Sequence, residues 1–248
     1  MRILIVSDIH GNRAALDVIR ETYDVCLCLG DIVDYGPEPG ACVDWVRENA
    51  THCVRGNHDH GVAHNVALQG VSGFRYLTAV TRPLSVSLLT DDQRRYLADL
   101  PMSQMLNLDG NRFLLVHATP RDPMDEYALA DTATWEPLLA GLKVDFVLVG
   151  HTHQLYSLQV NGIMVVNPGS VGLNRNGDPR ATYAVIDNGK VELKQVEYPV
   201  EKTVAALDGF VNDAVAKQML TDIYRGNGLV GRWAAEKVAS VANDSNPE

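Results

Sequence analysis

Residues 1–31 read MRILIVSDIHGNRAALDVIRETYDVCLCLGD. Two apolar runs, 3–6 and 25–29, flank a segment in which Ala15, Val18 and Ile19 fall on one helical face. Each run ends on a polar cluster, Asp8-Ile9-His10 after the first and Gly30-Asp31 after the second. Strand, loop, helix and strand in that order are the repeating unit of an α/β layered fold. In such folds the loops beyond the strand C-termini converge on one crevice, so the polar clusters are where chemistry is expected.

The same pattern recurs downstream. Apolar runs at 113–116 and 146–149 end at His117 and at Gly150-His151-Thr152-His153, and Cys42, Trp45 and Val46 share a helical face between the strands. From Leu155 the period changes: 155–160, 163–166, 182–186 and 191–196 read as consecutive strands. Asn161-Gly162 and Asn188-Gly189 are strong hairpin turns between neighbouring pairs. After Pro199 the chain reads as helical, with Val204, Leu207, Phe210, Val211 and Ala214 in one stripe that Leu220, Ile223 and Tyr224 continue. Gly226-Asn227-Gly228 breaks it before a last amphipathic stretch with Trp233, Val238 and Val241, and residues 243–248 read as a frayed end. Residues 62–90 are hard to assign. Phe74, Tyr76, Leu77 and Val80 indicate a helix that Pro83 is expected to interrupt, placed either over the active site or as a plain connector.

The expected architecture is therefore an α/β/β/α sandwich of two mixed sheets flanked by helices. Residues 1–198 form the core, and 199–248 a C-terminal helical extension that packs outside it or serves an oligomer interface. A chain of 248 residues, 46% of them hydrophobic, is long enough to bury such a core. No run reaches the roughly 18 apolar residues that span a bilayer, and MRILIVSDIHG lacks a secretory signal, so a cytoplasmic protein is expected. A net charge of -10 argues against a general grip on duplex nucleic acid, which needs Lys and Arg to displace counterions. It leaves small phosphorylated substrates open, because bound divalent cations neutralise a carboxylate cluster. Cys26, Cys28, Cys42 and Cys53 lack a second ligand pair for a soft metal and read as buried thiols.

Five clusters carry the chemistry: Asp8-Ile9-His10, Gly30-Asp31, Gly56-Asn57-His58-Asp59, His117, and Gly150-His151-Thr152-His153. Carboxylate, imidazole and amide oxygen suit first-row divalent metals with open positions for water. One carboxylate bridging two metals about 3.5–4 Å apart clamps the attacking and leaving oxygens of phosphoryl transfer. Singly each cluster is weak. Asp8-x-His10 reads equally as a helix cap beside a surface histidine, and His151-x-His153 as a satisfied pair on a strand. The force lies in their recurrence as an ordered set, each after an apolar run.

That set resembles the calcineurin-like metallophosphoesterase superfamily, whose signature runs D-x-H, G-D-x-x-D, G-N-H-[DE], H, G-H-x-H. All five blocks are present between residues 8 and 153. Asn167-Pro168-Gly169-Ser170-Val171-Gly172 is similar to a segment of the small bacterial and archaeal phosphodiesterase branch. The resemblance implies one divalent metal on Asp8, His10, Asp31 and His153 and a second on Asp31, Asn57, His117 and His151, drawn from Mn, Fe, Zn, Ni and Co. It implies further that His58 stabilises charge or protonates the leaving oxygen, oriented by Asp34. The Ser/Thr protein phosphatase branch continues the second aspartate with Arg-Gly, whereas here Asp34-Tyr35-Gly36 follows. That weakens a protein-phosphatase reading and leaves the phosphate clamp to Arg121, Arg175 or Arg180, each equally a solvated surface residue. His52, His60 and His64 match no signature position.

The expected function is hydrolysis of a small, nucleotide-type phosphodiester, phosphomonoester or phosphoanhydride. The rivals are a nuclease on short or single-stranded nucleic acid and a non-catalytic scaffold of the same fold. No membrane partner is expected, and a homo-oligomer is possible.

Overall fold

The computed structural model describes residues 1–227, so the stretch with Trp233, Val238 and Val241 and the end at 243–248 lie outside the described residues. Ten strands form two five-stranded sheets. The first sheet contains β1 (Arg2–Val6), β2 (Val25–Cys28), β3 (His52–Cys53), β9 (Ala181–Asp187) and β10 (Lys190–Val196), in the order β10-β9-β1-β2-β3. The second contains β4 (Ser103–Leu108), β5 (Asn111–Val116), β6 (Phe146–Leu148), β7 (Leu155–Val160) and β8 (Ile163–Pro168), in the order β4-β5-β6-β8-β7. Both are mixed: β1-β2-β3 and β5-β6-β8 are parallel, and their outer neighbours are antiparallel.

Side chains alternate across a strand, so each sheet has two faces to bury. Ile3, Ile5, Leu27, Phe113, Leu115, Phe146, Leu148 and Val166 fill the layer between the sheets. The opposite face of the first sheet, with Leu4, Val6, Cys26 and Cys28, packs against α1 (Arg13–Leu16), α2 (Pro39–Asn49) and α5 (Asp91–Asp99). The opposite face of the second, with Leu114, Val116 and Val147, packs against Trp135, Leu138 and Leu139 of α6 (Thr132–Leu139). The result is the four-layered α/β/β/α sandwich expected from the alternating runs. All four cysteines are buried free thiols.

Local expectations fared unevenly. Both hairpin turns form, with Asn161, Gly162, Asn188 and Gly189 all at positive φ. The helix expected through Val18 and Ile19 ends after one turn at Asp17. Asn12 caps its start, and the β-branched pair that follows leaves it. Pro83 does not interrupt its helix: α4 (Gly73–Leu88) runs straight through it. The backbone bond lost there is offset by burial of Leu77 and packing of Val80 and Leu84 in the cluster α4 shares with the C-terminal helices. The stripe after Pro199 is two helices, α7 (Val200–Phe210) and α8 (Ala214–Tyr224), because Asp213 caps a new start by accepting from Ala216 N. Ala214, assigned to that stripe, is exposed, whereas Ala216 is buried.

Leu207, Phe210, Met219, Leu220 and Tyr224 pack on Leu77, Leu173 and Tyr35. The C-terminal helices thereby reach the back of a residue adjacent to Asp34. Among the described residues, no helix is long and apolar enough to cross a membrane.

Candidate metal centre

The candidate ligands leave the ends of parallel strands. Asp8 and His10 follow β1, Asp31 follows β2, Asn57 opens α3 (Asn57–Ala63) after β3, His117 follows β5, and His151 and His153 follow β6. Five of them hold backbone conformations that side-chain-bearing residues rarely adopt: φ is 52° at Asp8, 46° at His10, 55° at Asp31, 62° at His151 and 57° at His153. Such strain persists only where surrounding contacts over-determine it. Here Ser170 Oγ donates to Asp8 O (2.7 Å), Gly172 N donates to Asp8 O (3.1 Å), and Asn167 Nδ2 donates to Gly150 O (2.7 Å). The 167–172 segment thus braces two ligand loops at once. Asp59 does the same for the others, its carboxylate accepting from the backbone N–H groups of Asp31 (2.8 Å), Ile32 (2.8 Å) and Gly56 (3.1 Å).

Two groups of ligand atoms result, Asp8 with His10 and His153, and Asp31 with His117 and His151. Within each the atoms lie within 4.8 Å of one another. Asp31 Oδ2 connects them, 3.2 Å from His117 Nε2 and 3.8 Å from His10 Nε2. All six side chains are buried.

The donor set fits divalent cations. His10 Nδ1 donates to Val33 O (3.0 Å), His117 Nδ1 to Leu29 O (2.7 Å), and His153 Nδ1 to Leu173 O. A ring nitrogen facing a carbonyl carries the hydrogen, so each Nε2 turns a lone pair inward. His10 Nε2 and His153 Nε2 face each other at 3.2 Å, with Asp8 Oδ1 3.1 Å from the latter. Electron pairs crowded in this way repel unless a cation lies among them. Asp8 Oδ1, Asn57 Oδ1 and His117 Nε2 are buried without a hydrogen-bond partner among the described residues, as ligand atoms awaiting a metal would be.

Burial alone raises the Asp8 and Asp31 carboxyls, but the facing His153 and His117 hold both below the ordinary range. His117 is pulled down by burial and pushed up to about 10 by Asp31, so in the metal-free protein its Nε2 carries a proton that a cation would displace. Burial lowers His10, His153 and His151, the last to about 3, so their rings are neutral and able to ligate at pH 7.

His58 lies against this centre, its ring 5.0 Å from that of His10 and edge-on to it. Its Nδ1 donates to Asp34 Oδ2 at 2.8 Å, the pairing expected from the sequence. Two neighbours had no motif to announce them. Arg82 of α4 donates from Nε to the same Asp34 oxygen at 3.0 Å, and the Tyr35 hydroxyl lies 3.4 Å from His58 Nε2. A signal for Arg82 was present. Thr78, Thr81, Arg82 and Ser85 are polar, buried and spaced i, i+3, i+4, i+7, a polar stripe where an ordinary packing helix is apolar.

The three candidate arginines separate. Arg175 lies over the Phe74 ring (4.3 Å to the centroid) and donates to Tyr127 OH (3.0 Å), while the Tyr127 ring sits 4.2 Å from that of His151. Arg121 is exposed and paired with Glu126. Arg180 forks onto Asp178 beside a cleft with Glu197, Tyr198 and Val200, which none of the candidate ligands lines.

Gly56 packs so tightly on Asp31 that an added Cβ would overlap its Oδ1 and backbone N. Gly56→Ala is therefore expected to lower stability by about 1–3 kcal/mol and to weaken metal retention. Urea unfolding of the metal-free protein and dialysis against chelator read the two effects.

Comparison with known proteins agrees with this geometry. An uncharacterised protein of Methanocaldococcus jannaschii is 30% identical over 223 residues, covering 81% of this chain and 89% of that one. The phosphodiesterase YfcE of Escherichia coli is 25% identical over 203 residues, covering 76% and 88%. The crystal structure of a metallophosphoesterase from Sphaerobacter thermophilus superposes with a TM-score of 0.73 at 30% identity, covering 89% of this chain and 98% of the other. The family model of the calcineurin-like phosphoesterase superfamily domain matches residues 1–190, the span that holds both sheets' parallel strands and all seven candidate ligands. With the fold, the strand-end ligand loops and this match in agreement, the chain belongs to the calcineurin-like phosphoesterase superfamily.

Proposed function

We propose that this chain is a dinuclear metal-dependent phosphoesterase that hydrolyses a small phosphorylated substrate. Asp8, His10, Asp31 and His153 hold one cation, and Asp31, Asn57, His117 and His151 hold the other. The observation that carries the reading is Asp31 Oδ2, a single carboxylate oxygen within reach of histidines from both groups. Cations bound there supply Lewis acidity and an activated water at neutral pH.

The protein's own residues do the rest. Arg175, without a carboxylate partner among the described residues and joined to His151 through Tyr127, binds the non-bridging phosphate oxygens. Arg121 and Arg180 are engaged by Glu126 and Asp178 and are unsuited to that task. His58 donates its proton to the leaving oxygen, and Asp34 fixes the ring so that Nε2 faces the substrate. The name of the Escherichia coli relative supports a phosphodiester among the candidate substrates.

The test is a panel of bis-p-nitrophenyl phosphate, p-nitrophenyl phosphate and nucleotides, run across Mn, Fe, Zn, Ni and Co with metal content measured. Hydrolysis is expected with at least one metal and is expected to vanish on chelation. Fully loaded protein inert toward every substrate would favour the scaffold reading instead. Chelation is also expected to lower Tm, because removing the cations leaves the buried Asp8 and Asp31 carboxylates to repel each other.

A further inference from the structure

Beside His58 the surface opens into a cleft of about 250 Å³ between α3 and the loop that carries Met124 and Asp125. That is just under the roughly 300–1,000 Å³ of clefts that enclose drug-sized ligands, a size suited to part of a substrate, such as one ring-bearing group. It begins at the site itself, since Asn57 and His58 form its inner end. A group attached to an oxygen that receives the His58 proton has this space beside it.

Its walls carry a distinct chemistry. Val66, Leu68 and Met124 give it apolar sides. His60 lies along one wall with Nδ1 buried and without a hydrogen-bond partner among the described residues. Burial and the neighbouring His64 pull the His60 pKa down, so the ring is neutral. Arg82, the guanidinium that lines the cleft among the described residues, is already paired with Asp34, which it shares with His58. Asp125 adds an exposed carboxylate to the opposite wall. A group that enters therefore meets apolar surface, a neutral imidazole and a negative charge, and among the described lining residues no cation without a carboxylate partner to receive a second phosphate.

We propose that this cleft is a leaving-group subsite for an uncharged, ring-bearing alcohol of nucleoside type, and that it disfavours leaving groups that themselves carry phosphate. The proposal rests on the hydrolase reading above and narrows it from esters and anhydrides to esters. In the reaction the bond between phosphorus and the alcohol oxygen breaks, and the alcohol oxygen keeps the electron pair and takes the His58 proton. Water forms the new bond to phosphorus, and the proton it releases restores the His58 imidazolium. The alcohol leaves through the cleft as a neutral molecule.

The experiment compares thymidine 5'-phosphate and phenyl phosphate with inorganic pyrophosphate on the metal-loaded enzyme. The kcat/KM on the esters is expected to exceed that on pyrophosphate by about tenfold or more, although phosphate is the better leaving group. Asp125→Lys is expected to shift that ratio toward pyrophosphate by about tenfold, with Asp125→Asn giving a smaller shift in the same direction should the lysine variant not fold. Binding is read separately, as the methyl signal of 13C-labelled Met124 on addition of thymidine, and Leu68→Glu is expected to suppress its shift. Pyrophosphate cleaved as well as the esters, or a ratio unmoved by both Asp125 variants, would overturn the subsite. If no phosphoester turns over but thymidine still shifts Met124, the hydrolase reading fails and the binding cleft stands. Turnover with an unmoved Met124 signal sinks the cleft and leaves the hydrolase.

Discussion

Asp31→Asn is expected to reduce hydrolysis by at least about 10³-fold and to take metal content below one ion per chain. The substitution is close to isosteric. Asn keeps an oxygen to accept from His58 N, which Asp31 Oδ1 does at 2.9 Å, so the fold around α3 should hold. What disappears is the anionic Oδ2 that lies between His117 and His10. An amide cannot supply charge to two cations at once, so both sites weaken together, whereas Asn57→Ala should affect one. Elemental analysis after dialysis, alongside the substrate panel, separates these outcomes; two tightly held ions in the Asp31→Asn protein would refute the bridging role.

The same variant has a consequence for the metal-free protein. Asp59 is buried and lies beside Asp31, and burial followed by the Asp31 charge pushes its carboxyl up to about 7 from an ordinary 3.8. A raised folded-state value means that the Asp59 contribution to stability is fully present below the unfolded value and is lost as pH climbs through 7. Removing the Asp31 charge lowers the Asp59 value. Metal-free Asp31→Asn should therefore lose less stability than the wild type between pH 5 and 8, which denaturant titrations across that range measure.

The layers and the ligand loops were legible in the sequence because each depends on a local signal. A strand buried on both faces reads as an apolar run, and the glycine or aspartate that ends it marks the turn into the crevice. What depends on tertiary partners was not legible. The consecutive strands β7 to β10 divide between the two sheets, and their hairpins look alike from inside the chain. Pro83 passes through α4 because packing outweighs a propensity rule. Arg82 reaches Asp34 across 48 positions, and Arg175 finds Phe74 across 101, with no spacing to connect them. Tyr35 stood out in the sequence only as a departure from Arg-Gly, and nothing there placed its buried ring 4.8 Å from those of both His10 and His58. The candidate ligands were readable because the chemistry of coordination limits which residue types serve. The residues that position them are chosen by shape, which one chain read alone does not display.

His58→Ala is expected to leave metal content near its wild-type level and to lower turnover by about 10²–10⁴-fold. The His58 ring belongs to neither group of metal-binding atoms, so the cations should stay. The loss should grow as the leaving group worsens. A p-nitrophenolate departs with little help, whereas a nucleoside alkoxide needs a proton as the bond breaks. A leaving-group dependence that steepens in the variant identifies proton donation, and an equal loss on all substrates would assign His58 to electrostatic stabilisation instead. Asp34→Asn provides the companion test, with a complication set by Arg82. Asp34 Oδ2 serves both His58 Nδ1 and the Arg82 guanidinium, so its removal leaves a buried cation without its partner. That costs about 3–5 kcal/mol of stability, and the activity of this variant must be read well below its Tm. If Asp34 acts only by orienting His58, the double variant His58→Ala/Asp34→Asn should be no slower than His58→Ala alone, because a lost proton donor has no orientation left to lose.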